Sequence, residues 1–277
     1  MKFGVYVSPC GSYADARLPG ELAMEAEAAG WQGYFLWDHI SMGSTDPVVD
    51  PWIALTCVAL NTERIQLGPL ITPLARRRPA KLARETVSLD YLCGGRMVLG
   101  VGLGDIPQEF DDLGETADPR ARGAQLDEAL QVLTALWSGE PVTHAGPFYT
   151  VRGVALTPPP RQSPRIPVWV AGFWPRRTPF RRAARWDGMF AGVLRAGGAS
   201  PTPDDLRAML AFVHILRDPT QPFDVVVAGL TPGADLAASR AAVRPYEGVA
   251  TWWLEHIHQW RGSLEHMRQR IRQGPPA

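Results

Sequence analysis

Short apolar runs alternate with segments of helical periodicity along this chain, and few folds accommodate that rhythm. Residues 3–7 are apolar in the manner of a strand buried on both faces. Pro19 then opens a helix with Leu22, Ala23, Ala26 and Ala29 on one face, stopped by Gly30. Residues 34–37 form a second strand, Asp50-Pro51 starts a helix through Asn61, and residues 65–70 form a third strand. From Pro79, Leu82, Thr86 and Leu89 share a helical face that ends at Gly94-Gly95, and residues 97–101 are the fourth strand. An excursion over 105–165 follows, with one strong helix carrying Leu126, Ala129, Leu130, Leu133, Leu136 and Trp137. The alternation then resumes with strands at 166–171, 189–193, 225–228 and 249–254. Their helices are expected to be capped at Thr178-Pro179 and Thr202, to run from about Ala234, and to be capped at Ser263.

Strict alternation implies parallel strands joined by right-handed crossovers. An open doubly wound sheet gives the same rhythm, but eight units in 277 residues favour closure into a (βα)8 TIM barrel, which needs about 250 residues. The expectation is an α/β protein with a single domain over 1–277 and an excursion after the fourth strand. With 45% apolar and 20% charged residues, the chain can form a large core. A formal net charge of zero gives no global field toward nucleic acid or an anionic membrane. No apolar run approaches the roughly 20 residues of a membrane span, and the start reads as a strand rather than a signal segment. Cys10, Cys57 and Cys93 are far apart without a CxxC, which points to a reducing cytoplasm.

In such a barrel the reacting groups sit where strands end and βα loops begin. His39 directly follows the second strand beside Asp38, where an imidazole titrating near neutrality serves as general acid or base. The bland alternative is a histidine that only ties down its loop. Gly172, Phe173, Arg176, Arg177 and Thr178 combine a glycine at a strand end, two cations and a helix start, which suits a phosphate; an ordinary basic loop fits the same residues. Arg76-Arg77-Arg78 reads first as a solvated charge run and second as a steering patch for an anionic cofactor. Gly100-Val101-Gly102-Leu103-Gly104-Asp105 misses a dinucleotide fingerprint, because its third glycine position holds Asp105. His256 and His258 are read as pointing to opposite sides, so no metal site is expected. Trp37, Trp174, Trp252 and Trp253 are placed nearest the mouth.

Several stretches resemble the bacterial-luciferase-like flavin-dependent oxidoreductases. They are Tyr34-Phe35-Leu36-Trp37-Asp38-His39, the segment from Arg64 to Leu74, the block from Arg76 through Gly104, Pro167 to Gly172, and Gly248 to Trp253. The resemblance implies the same barrel and an active-site histidine at His39, with Asp38 beside it as a catalytic residue. It also implies a flavin ring near Ile71, Thr72, Gly102, Gly104 and Asp105, a phosphate loop over 172–178, and a non-proline cis peptide near Leu70-Ile71. The function so implied is a monooxygenase using reduced FMN and dioxygen on a small organic substrate, with the flavin supplied by a separate flavin reductase. Hydride transfer with a 5-deazaflavin coenzyme is the alternative, in which the arginine runs serve a longer anionic tail. A non-catalytic flavin-binding protein is a third reading. A homodimer is implied by analogy alone. Substrate choice is expected in 105–165 and 194–203.

Overall fold

Eight parallel staves line up around a common interior in the computed structural model, which describes residues 1–42, 45–195 and 200–277. The staves are β1 (Lys2–Val7), β2 (Gly33–Leu36), β3 (Gln66–Pro69) continued by β4 (Thr72–Pro73), and β5 (Leu99–Gly102). They continue with β8 (Val168–Trp174), β9 (Gly188–Val193), β10 (Asp224–Gly229) and β11 (Trp252–Ile257). Their order is β3-β2-β1-β11-β10-β9-β8-β5-β4, all parallel. β3 and β4 are one stave interrupted at a cis Leu70-Ile71 peptide, the bond the family resemblance implied. The ring closes there: the Leu67 amide donates to the Arg96 carbonyl at 3.1 Å, and Val98 donates to Leu67 at 2.9 Å.

Helices cover the outside: α1 (Leu18–Ala28), α2 (Pro51–Leu60), α3 (Pro79–Leu92), α5 (Pro119–Leu136), α6 (Arg177–Ala183), α7 (Pro203–His214), α8 (Leu236–Val243) and α9 (Leu264–Arg272). Local chemistry starts them where expected. The Asp50 carboxylate accepts the Trp52 and Ile53 amides ahead of α2, and Thr202 and Asp205 form a reciprocal capping box on α7. Ser263 accepts the His266 amide at the head of α9.

Two apolar layers follow from strand parity. Outward side chains pack under the helices, while Phe35, Leu70, Val98, Trp169, Val226, Trp252 and Leu254 fill the barrel. The rings of Phe35, Trp169 and Trp252 lie 5.2–5.8 Å apart and form its floor. Gly33 makes room for them, since a Cβ there would come within 2.6 Å of Phe35 and 2.8 Å of Trp252.

Four expectations need correction. The last strand starts at Trp252 rather than Val249 and runs to Ile257, so Trp252 belongs to the floor, and Trp253 packs outward against Tyr246. Neither tryptophan is at the mouth. Thr178 lies inside α6, whose N-cap is Arg176 with no side-chain cap. Gly172 and Phe173 lie within β8, because that strand continues to Trp174. The excursion over 105–165 also holds a short helix α4 (Gln108–Asp111) and an antiparallel hairpin of β6 (Val142–Ala145) and β7 (Thr150–Val154). Part of the expected substrate loop 194–203, residues 196–199, lies outside the described residues. No helix among the described residues is long and apolar enough to cross a membrane.

Candidate active site

His39 sits two residues beyond Trp37, just past the end of β2, with its side chain 13% exposed. Its Nδ1 lies 3.0 Å from Oε2 of Glu109, a side chain with no solvent exposure that arrives on α4. The Glu109 carboxylate is held on both sides. Oε1 accepts the amides of Ile40 and Ser41 at 2.5 and 3.0 Å, and Oε2 accepts Nη1 of Arg76 at 2.9 Å. Burial by itself raises the pKa of such a carboxyl. Here the hydrogen bonds from His39 and Ser41 and the charge of Arg76 outweigh burial and hold Glu109 at about 2. An ionised Glu109 fixes the hydrogen of His39 on Nδ1 and turns Nε2 away from itself.

Asp38, the other residue expected to be catalytic, is buried. Its carboxylate accepts from Trp52 Nε1 at 3.2 Å, Thr72 Oγ1 at 2.7 Å, Arg76 Nη2 at 3.0 Å and Arg77 Nη2 at 2.9 Å. Arg76, with its side chain 2% exposed, therefore bridges Asp38 and Glu109. The Arg76-Arg77-Arg78 run is thus neither a solvated face nor a free anion site. Its first two members neutralise buried carboxylates, and only Arg78 is exposed. Thr72 is likewise buried, with its hydroxyl turned to Asp38.

The other residues expected around a cofactor fall on adjacent staves, β4, β5 and β8. Ile71 packs across Gly102, where a Cβ would meet its Cδ1 at 2.6 Å. Gly104 has φ +79° and turns the chain so that Phe110 packs beneath it; Asp105 follows, exposed. Arg122 lies 4.1 Å from the Phe110 ring centre and donates to the Leu103 carbonyl, which fixes this turn. At β8, Gly172 lets Pro179 approach, and Phe173, Arg176, Arg177 and Thr178 are all exposed. Arg177 is placed over the Phe212 ring at 5.4 Å.

Sequence reasoning misplaced one further group. His256 and His258 are two apart on an extended segment, so parity turns them to the same side, into the barrel. Their rings are 5.8 Å apart. Tyr6 packs against His256, Phe190 and Trp37 at 5.3–5.5 Å, and Trp260 stacks on Trp37 at 5.9 Å and 26°. Burial, chiefly, lowers the pKa of His256 to about 4, helped by His258; burial and Arg261 also lower that of His258. Two hollows of about 380 and 760 Å³ lie elsewhere, one lined by Arg207, His214 and Glu247 and the other by Phe3, Arg240 and Ala277, and neither meets His39.

The sequence profile of the luciferase-like monooxygenases matches residues 1–274. The chain belongs to this family. This luciferase-like protein is 33% identical over 221 residues to 4-hydroxyprotoasukamycin monooxygenase of Streptomyces nodosus subsp. asukaensis, a match covering 75% of this chain and 57% of that one. It is 30% identical over 181 residues to an F420-dependent glucose-6-phosphate dehydrogenase of Microbacterium testaceum, covering 64% of this chain and 51% of the relative. In fold it resembles an F420-dependent secondary alcohol dehydrogenase holding an F420-acetone adduct, with a TM-score of 0.79, 16% identity and coverage of 99% and 98%. It also resembles the oxygenating constituent of 3,6-diketocamphane monooxygenase from Pseudomonas putida, in complex with FMN, with a TM-score of 0.71, 18% identity and coverage of 88% and 71%. The luciferase-like protein is thus a flavin-type oxidoreductase by family, on a TIM-barrel scaffold.

Proposed function

We propose that this luciferase-like protein is an FMN-dependent monooxygenase of a small organic substrate, with His39 as its proton-transfer residue. The observation that carries the reading is the His39–Glu109 pair. An imidazole pinned at Nδ1 by a permanently charged carboxylate presents Nε2 in one orientation, ready to accept and return a proton. Asp38, Arg76 and Thr72 act as positioning residues behind it. A flat heteroaromatic ring bound at the mouth would lie between the Ile71–Gly102 wall on one arc and aromatic side chains on the other.

Reduced FMN, when bound, supplies the electrons that activate dioxygen. Ile71 and the segment 102–105 would lie against its ring, and Arg176, Arg177 and Thr178 would hold its phosphate. A separate flavin reductase would deliver it. The aromatic wall of Tyr6, Trp37 and Phe190 keeps bulk water from the reacting centre. Hydride transfer with a 5-deazaflavin coenzyme is a second reading, favoured by the names of the Microbacterium testaceum relative and of the alcohol dehydrogenase. Against it, Arg76 and Arg77 are bound to Asp38 and Glu109, which leaves fewer cations for a long anionic tail. Of the two sequence relatives described above, the monooxygenase match is the longer, 221 residues against 181.

Oxygen-dependent turnover of the His39→Ala variant tests the role of the histidine. A loss of about 100-fold or more in kcat, with reduced-FMN affinity retained, is expected. Unchanged turnover would remove His39 from the chemistry.

A further inference from the structure

The stave β11 stands across the mouth from β5, since three staves separate them in either direction around the closed sheet. The side chains at its carboxyl end therefore face the arc proposed to carry the cofactor. Three features of that end stand together. The indole of Trp260 is 61% exposed, and one face of it is stacked on Trp37. Trp260 also packs on His258 at 5.5 Å, and His258 on Trp37 at 5.9 Å. Finally, among the described residues Trp37 Nε1, His256 Nδ1 and His258 Nδ1 are buried without a hydrogen-bond partner. Buried polar atoms are ordinarily satisfied, and several orphans in one aromatic cluster are uncommon in a finished core.

We propose that Trp37, His256, His258 and Trp260 form the substrate subsite, and that it selects an uncharged aromatic ring bearing a hydrogen-bonding oxygen, such as a phenol. This rests on the monooxygenase reading above for its place in the reaction. The open face of Trp260 extends the existing stack to a ligand ring. A phenolic hydroxyl on that ring gives its hydrogen to a neutral imidazole nitrogen of His258, which packs against Trp260. The two imidazoles are held neutral at physiological pH by burial and by Arg261, whose charge is paired with Glu255. A carboxylate or phosphate would find no counter-charge on this wall, whereas a saturated ring would lose the stack.

Calorimetric titration of the full chain with 2-naphthol, naphthalene, 2-naphthoate and 2-decalol, with and without FMN, tests the subsite. The expected result is that 2-naphthol binds at least about tenfold more tightly than each control. Trp260→Ala should weaken 2-naphthol about tenfold, and His258→Leu should erase the preference for 2-naphthol over naphthalene, while both variants keep wild-type FMN affinity. His258→Asn provides a second, less disruptive variant at that position. Equal affinity for naphthol and decalol, or no effect of Trp260→Ala, would overturn the proposal. So would a parallel loss of FMN, which would assign these residues to the cofactor. Wild-type protein that binds 2-naphthol selectively but no flavin would leave the subsite standing and contradict the monooxygenase reading instead.

Discussion

His39 is legible in the sequence because it directly follows a strand buried on both faces, where a barrel exposes its reacting groups. Its partner is not legible. Glu109 arrives from a four-residue helix, 70 positions away, with no periodicity to announce it. Asp38, adjacent in sequence, looked like the obvious carboxylate, but consecutive residues point to different sides, and it instead anchors Arg76 and Arg77. His256 and His258 were misjudged by the opposite slip, since residues two apart share a side. Replacing Glu109 tests the assignment directly. Glu109→Gln keeps the shape and removes the charge that orients the imidazole, so kcat should fall at least about tenfold. Unchanged kcat would mean that His39 does not depend on Glu109. His256 gives a stability prediction with a definite sign. Its pKa in the fold is about 4 against an ordinary 6.5, so the unfolded chain takes up a proton first as pH falls. Folding stability should therefore be full above pH 6.5 and decline toward pH 4. Thermal melts of His256→Gln should show a shallower decline over that window than wild type.

Among the elements, the eight staves follow from continuous apolar runs, and the caps at Asp50, Thr202 and Ser263 from their local hydrogen-bond chemistry. The misread boundaries have physical causes. Val249 and Ala250 are apolar and buried, as a strand would be, yet they belong to the turn before β11. The β6–β7 hairpin lies on the surface with its side chains half-buried or exposed, so no run of apolar residues marks it. Pro179 signals the first turn of α6 correctly but does not say which residue starts it. Closure of the barrel depends on a contact that only glycine permits. A Cβ on Gly68 would fall 1.8 Å from the Val98 carbonyl oxygen, across the β3–β5 seam. Gly68→Ala should accordingly destabilise the fold by about 3 kcal/mol or more, read as a lower denaturation midpoint in urea. A midpoint within error of wild type would mean that the seam can part there without cost.

Across the whole molecule, the fold and its family are readable from sequence, because the alternation runs the length of the chain and the profile match spans 1–274. The choice of cofactor is not, because Arg76 and Arg77 are bound to carboxylates inside the protein, while the exposed Arg78, Arg176 and Arg177 suit an FMN phosphate and a longer anionic tail alike. What distinguishes the two chemistries is dioxygen. Apoprotein titrated anaerobically with reduced FMN and with the reduced 5-deazaflavin coenzyme, then exposed to dioxygen with a phenolic substrate present, tests the central claim directly. Tighter binding of reduced FMN, and substrate consumption that begins only when dioxygen is admitted, is the predicted result. Preference for the deazaflavin, with turnover proceeding before any dioxygen enters, would contradict it and assign the barrel to hydride transfer.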